Sequence, residues 1–229
     1  IVADPAAVAD QLAGAARGRV WTHRAWGDEV IRARATVPAE WAAARRSAQA
    51  PIHPLRVCAA LQPHLDRGAI LVADGGEFGQ WVQAGLEAET RLINGPAGSI
   101  GSAIPMAIAA RLRHPDRPVI AAVGDGTFGF HAFELDTAAR HRLPVVTVIG
   151  NDARWNAEHQ LQIQHYGADR TVGCELEPSR YDLLAAALGG HGEHVARADD
   201  LEPALDRALH SGLPAIINVT IQPLPAPTY

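Results

Sequence analysis

Residues Val119–Asn156 read VIAAVGDGTFGFHAFELDTAARHRLPVVTVIGNDARWN, and this stretch decides the fold. Val119-Ile120-Ala121-Ala122-Val123 and Val145-Val146-Thr147-Val148-Ile149 are too short for helices and lack the alternation of a half-exposed strand. Both therefore read as strands buried on two faces, with one helix between them. Each strand ends in a small polar cluster, Gly124-Asp125-Gly126-Thr127 and Gly150-Asn151-Asp152. In open parallel sheets ligands sit at the carboxyl ends of strands. Two acids thus arrive at adjacent strand ends beside glycines that let backbone N–H groups come close. A divalent cation holding a diphosphate needs this combination of hard oxygen ligands and bare amides.

Gly124-Asp125-Gly126, a spacer of 24 residues and Asn151-Asp152 resemble the thiamine diphosphate motif of the acetolactate synthase, pyruvate decarboxylase and benzaldehyde lyase superfamily. The resemblance implies that Asp125 and Asp152 bind magnesium, with the main-chain carbonyl of Arg154 as a third protein ligand. It also implies that Gly124, Gly126, Thr127 and Asn151 border the cofactor. Position 152 is Asp where the family more often has Asn, and the extra charge tightens the metal while repelling the diphosphate. Gly98-Ser99-Ile100-Gly101 resembles the family's wedge element. There the resemblance implies that Ile100 sits beneath the bent cofactor, a task suited to a side chain stiff at χ1, while the backbone of Gly98 and Ile100 holds the pyrimidine edge and Ser99 between them borders the cofactor.

Gly124-x-Gly126-x-x-Gly129 also satisfies the dinucleotide fingerprint, follows a strand and opens a helix. Against that reading stands Asp125, whose carboxylate would face a pyrophosphate with no metal between them, at a helix start suited to anions. The thiamine diphosphate reading is favoured because other parts of the chain fit it.

The chain has 229 residues and a hydrophobic content of 48%, ordinary for a soluble α/β domain with an appendage. No basic tract argues for nucleic acid, and no long uncharged apolar run argues for a membrane span. Two cysteines make no disulfide framework, and the opening residues lack a signal pattern, so a cytoplasmic protein is expected. All 20 of the Lys and Arg residues are arginine. Walker A, pyridoxal Schiff-base and lysine-aldolase chemistries all need a lysine and are thereby excluded. The eleven histidines form no zinc motif.

In chain order, Asp4-Pro5 starts a helix over residues 4–16, Val20-Trp21-Thr22 has the composition of a short strand, and a second helix is expected over 38–49. The segment 18–36 has no clean period. Residues 1–50 hold too little apolar material for a core, and the resemblance makes them the tail of a middle domain plus linker, with 51–229 as the cofactor domain. After Pro51 and Pro54 come a helix through Leu65, a strand at Ala69–Ala73, and the turn Asp74-Gly75-Gly76-Glu77-Phe78. In the family this turn helps hold the diphosphate, so the backbone of Gly75 and Gly76 is carried over. Glu77 is unhelpful beside a diphosphate unless it points elsewhere. Arg91–Ile93 is a strand, Ser102–Leu112 a helix, Ser179 the cap of a helix over 181–188, and Asp199-Asp200 the cap of one over 201–210. A last strand runs over 214–220 and a proline-rich tail over 223–229. His131 and Glu134 fall on the helix after Gly126 and read as solvated groups.

The fold expected is α/β: a three-layer, doubly wound, mostly parallel sheet with helices on both faces. The resemblance implies carbon–carbon bond cleavage or ligation on 2-keto acids or 2-hydroxyacyl compounds. Trp155 and Asn156 replace the glycine-methionine pair common in acetolactate synthases on the loop facing substrate. Phe128-Gly129-Phe130 also resembles 2-hydroxyacyl-CoA lyases and oxalyl-CoA decarboxylases. The family's activating glutamate comes from another domain, usually across a dimer or tetramer interface. Glu29, Glu40, Glu87 and Glu89 lack its surroundings, so no catalytic residue is assigned here. The chain alone is expected to bind cofactor weakly and do no chemistry; a non-catalytic cofactor-binding fragment is the alternative.

Overall fold

The computed structural model describes residues 2–20, 22–35, 37–95 and 97–227. Contacts divide the chain into two units, Ile1–Ala39 and Glu40–Tyr229. The first carries α1 (Pro5–Ala16) and α2 (Arg24–Ala35). Asp4 caps α1 by accepting the Ala7 N–H at 3.0 Å, with Pro5 at the first position. No residue of α1 is buried, which agrees with the paucity of apolar material. The unassigned segment 18–36 thus contains a helix. Val20 and Thr22 belong to no strand, and Trp21 lies outside the described residues.

In the second unit α3 (Ala39–Ala44) is shorter than the sequence suggests. Then follow α4 (Pro54–Asp66), β1 (Ile70–Ala73), α5 (Gly76–Gly85), β2 (Arg91–Ile93), α6 (Ala103–Arg113) and β3 (Val119–Gly124). The chain continues through α7 (Asp125–Phe128), α8 (Glu134–Arg140), β4 (Val146–Asn151), α9 (Asn156–Tyr166), α10 (Tyr181–Ala187), β5 (His191–Val195), α11 (Leu201–His210) and β6 (Ala215–Thr220). All the pairings are parallel, in the order β2-β1-β3-β4-β6-β5.

Side chains alternate across a strand with period 2, and the two cores divide accordingly. Leu71, Ala73, Ile120, Ala122, Val146, Val148, Ile217 and Val219 meet α4, α5 and α11 through Leu61, Phe78, Val82 and Leu205. Ile70, Val72, Val119, Ala121, Val123, Ile149 and Ile216 meet α6, α8 and α10 through Ile104, Ala107, Leu135 and Ala185. Every residue of β3 and β4 is buried, as expected of strands covered on both faces.

Three local expectations are corrected. The single helix after Gly126 is two, with Phe130, His131 and Phe133 in the turn between them. Tertiary packing overrides helical propensity there: His131 Nδ1 lies 2.7 Å from the Gly101 carbonyl, and Phe130 packs so closely on Gly101 that a Cβ at 101 would come within 2.5 Å. Ser179 does not cap α10, whose N-cap is Arg180, whereas Asp200 does hold the N-cap position of α11, without a side-chain capping bond. The proline-rich end is a docked strap through its described residues. Trp81 Nε1 donates to the Leu224 carbonyl at 3.2 Å, and Ala226 joins a small apolar cluster with Leu55 and Trp81. Thr228 and Tyr229 lie outside the described residues.

Candidate functional site

The carboxyl ends of β1, β3 and β4 open into one cleft, lined among others by Gly76, Ile100, Gly124, Asp125, Gly126, Thr127, Asp152, Arg154, Trp155 and Asn156. Register places Gly124 beside Gly150, so Asp125 and Asp152 follow adjacent strand tips. The loop between β4 and α9 is fixed from both sides. Ala153 takes the left-handed conformation, with φ of 54°, which is uncommon for a residue carrying a Cβ. Its N–H donates to Asn151 Oδ1 at 3.1 Å. Trp155 N–H donates to the Cys174 carbonyl at 2.8 Å, and Leu176 N–H donates to the Ala153 carbonyl at 2.8 Å.

The electrostatics call for a cation. Asp125 is 2% exposed, and among the described residues its Oδ2 finds no hydrogen-bond partner. Burial pushes Asp125 up to about 6, although the amides of Gly126, Arg154 and Ala153 favour its ionised form. Burial and then the Asp125 charge push Asp152 up to about 7, against the Asn156 amide and Arg154. The Asp125 charge thus reaches Asp152 and opposes its ionisation, while burial alone raises Asp125, and a divalent ion would relieve both. Tyr181, stacked edge-on to Phe128, is also raised by burial and by Asp125.

Gly75 joins three parts of the cleft. Its N–H donates to Asp74 Oδ1 at 2.6 Å, its carbonyl accepts the Thr127 hydroxyl at 3.3 Å, and a Cβ here would lie 2.4 Å from Ile100 Cγ2. Asp74, 1% exposed, also accepts the Ala103 N–H through Oδ2 at 2.8 Å, tying the Ile100 segment to the Gly75 turn. Ile100 thus rests directly on the glycine turn and lines the cleft. Gly98 and Ser99 are exposed and outside its lining, with Gly98 at φ of 64°. Asn151 is 6% exposed and is committed within the chain. Its Nδ2 donates to the Ser179 carbonyl and to Asn218 Oδ1, both at 3.1 Å.

Glu77 lines the cleft but is committed within the chain, since one carboxylate oxygen accepts the Ala226 N–H and the other accepts Gln80 Nε2 at 3.3 Å. Trp155 packs on Gly126 so tightly that a Cβ there would lie 2.8 Å from its ring. Phe130 meets the same ring edge-on at 6.1 Å. The parts that sequence reasoning missed are Asp74, Tyr181, and the Cys174–Leu176 brace. Asp74 alone carried a local signal, as an acid at a strand tip before two glycines.

Residues 74–219 match the family described as thiamine pyrophosphate enzyme, C-terminal TPP binding domain. The chain belongs to this family. It is 44% identical over 177 residues to acetolactate synthase large subunit IlvG of Mycobacterium tuberculosis, covering 76% of this chain and 32% of that protein. It is 36% identical over 179 residues to 2-hydroxyacyl-CoA lyase 2 of Caenorhabditis elegans, covering 74% and 28%. It is 34% identical over 161 residues to sulfoacetaldehyde acetyltransferase of Alcaligenes xylosoxydans xylosoxydans, covering 69% and 26%. The thiamine pyrophosphate-binding chain therefore spans about a third or less of these relatives. Among the described residues no helix is long and apolar enough to cross a membrane.

Proposed function

We propose that the chain is the cofactor-binding part of a thiamine diphosphate-dependent carboligase or decarboxylase of the acetolactate synthase type, acting on 2-keto acids or 2-hydroxyacyl compounds. The observation that carries this reading is the unpartnered, buried Oδ2 of Asp125 beside a second carboxylate whose ionisation it opposes. These groups fit a magnesium ion held by Asp125, Asp152 and the main-chain carbonyl of Arg154, and they do not fit a bare dinucleotide pyrophosphate. Thiamine diphosphate, when bound, supplies a thiazolium carbon that adds to a substrate carbonyl and accepts the electron pair of the broken C–C bond.

The chain's own residues bind and orient. Gly76, Gly124, Gly126 and Thr127 let the diphosphate approach the backbone, and Ile100, seated on Gly75, supplies the apolar wedge. The exposed turn at Gly98 and Ser99 borders the pyrimidine. Asn151 serves the cofactor indirectly, by fixing the Ala153 turn. Trp155 and Asn156 wall the substrate side. Residues 1–50 are read as the tail of a middle domain plus linker. The proton-activating glutamate is assigned to another domain, within a homo-oligomer in the cytoplasm, so this chain alone is inactive. The 2-hydroxyacyl-CoA lyase likeness supports acyl-CoA substrates as a second reading.

Calorimetric titration with thiamine diphosphate tests the proposal. Binding should require magnesium and vanish in Asp125→Ala, whereas magnesium-independent binding refutes it. Carboligation of pyruvate by this chain alone would refute the expected inactivity.

A further inference from the structure

Glu77 occupies a place where a carboxylate should oppose binding. It is the second residue of α5, is 7% exposed, and lines the same cleft as Gly76, Gly126 and Thr127. Its Oε1 is held by the Ala226 N–H, from a segment 149 residues further along the chain. That segment leaves β6 at the metal loop itself, where Ile221 N–H donates to the Asn151 carbonyl at 3.0 Å. It then crosses to α5, where Trp81 Nε1 takes the Leu224 carbonyl. The strap thus links the tip of β4 to the start of the helix expected to meet the diphosphate.

We infer that the Ala226 N–H is a positioning group: by holding the Glu77 carboxylate out of the diphosphate site, it couples docking of the 222–227 strap to binding of a magnesium diphosphate. This inference rests on the functional reading above. A carboxylate released into a low-dielectric cleft repels an anion, whereas one fixed by two donors is directed away and partly neutralised. A carboxamide at the same position would bring no such charge.

The test uses the complete chain and five variants: Ala226→Pro, Glu77→Gln, their combination, Trp81→Phe, and Trp81→Phe combined with Glu77→Gln. Ala226→Pro removes one N–H from a segment already flanked by Pro225 and Pro227. Magnesium thiamine diphosphate and magnesium pyrophosphate are titrated by calorimetry. Ala226→Pro should bind both roughly tenfold more weakly, and Glu77→Gln at least as tightly as wild type. The double variant should return to within about twofold of Glu77→Gln, because nothing charged remains to be held. Trp81→Phe, which removes the other strap anchor and keeps an aromatic ring, should also weaken binding and be rescued by Glu77→Gln if Ala226→Pro fails to fold. A loss that persists undiminished in the double variant means the strap matters only structurally and overturns the inference, as does wild-type affinity in Ala226→Pro. Failure of the wild-type chain to bind either probe overturns the functional reading, and the inference with it.

Discussion

Replacing Asp152 by Asn should stabilise the metal-free chain, with a pH dependence that identifies the cause. An ordinary aspartate ionises near 3.8, whereas Asp152 does so only at about 7, through burial and the Asp125 charge. At about 1.4 kcal/mol per pH unit, keeping it ionised at pH 8 costs on the order of 3 kcal/mol once its partial exposure is allowed for. The sign follows from linkage. The folded chain holds its proton more tightly than the unfolded chain, so the site is unstrained below about pH 4 and stability falls as pH rises through 7. Asp152→Asn removes this fall. For a chain of this size the midpoint of thermal unfolding should rise by about 5–10 °C at pH 8 and stay unchanged at pH 4. Differential scanning calorimetry without divalent ions, at both pH values, reads the effect directly. Magnesium should raise the wild-type midpoint at pH 8 and move the variant less, since a neutral amide is the weaker ligand. Equal shifts at pH 4 and pH 8, or no shift at either, would refute the claim that burial and the Asp125 charge disfavour the ionised Asp152.

Asp74→Asn places an amide N–H against either the Gly75 or the Ala103 N–H, because only one of its two polar atoms can still accept. It should destabilise the fold by about 1–3 kcal/mol in denaturant titration and speed hydrogen exchange at residues 99–104 ahead of the rest of the domain. Gly126→Ala drives a methyl group into the Trp155 ring, 2.8 Å from its nearest atoms. The tryptophan emission spectrum should shift and magnesium-dependent cofactor binding should fall at least tenfold, while unchanged emission would sink that packing argument. Cys58, fully buried and pushed up to about 12, should react with a thiol reagent at pH 8 only as fast as the chain unfolds; labelling in the native baseline would contradict its burial.

The two cleft-forming strands were legible because Val and Ile runs without polar interruption admit few other structures, and their acidic tips followed at once from the parallel arrangement. The helix after Gly126 was legible in type and wrong in extent. Its break is set by Gly101, about thirty residues earlier in the chain, and no local period reports such a contact. The strap was misread for a related reason. Prolines 223, 225 and 227 rule out a regular strand, but the Leu224 carbonyl and Ala226 N–H between them still find partners on α5. At Asn151 the motif implies a place beside the cofactor, and its amide partners Ser179 and Asn218 come from distant parts of the chain that no local pattern reports. Conversely, the awkwardness of Glu77 is visible from charge alone, and the structure supplies the Ala226 N–H and Gln80 as partners for its two oxygens.

The brace between Ala153–Trp155 and Cys174–Leu176 makes the surface excursion after α9 a remote control for the strand tip. Lengthening or shortening that excursion would tilt the Arg154 peptide and the indole beside it without altering either acid. The wall at Trp155 is therefore adjustable from the periphery, with Asp125 and Asp152 left as they are.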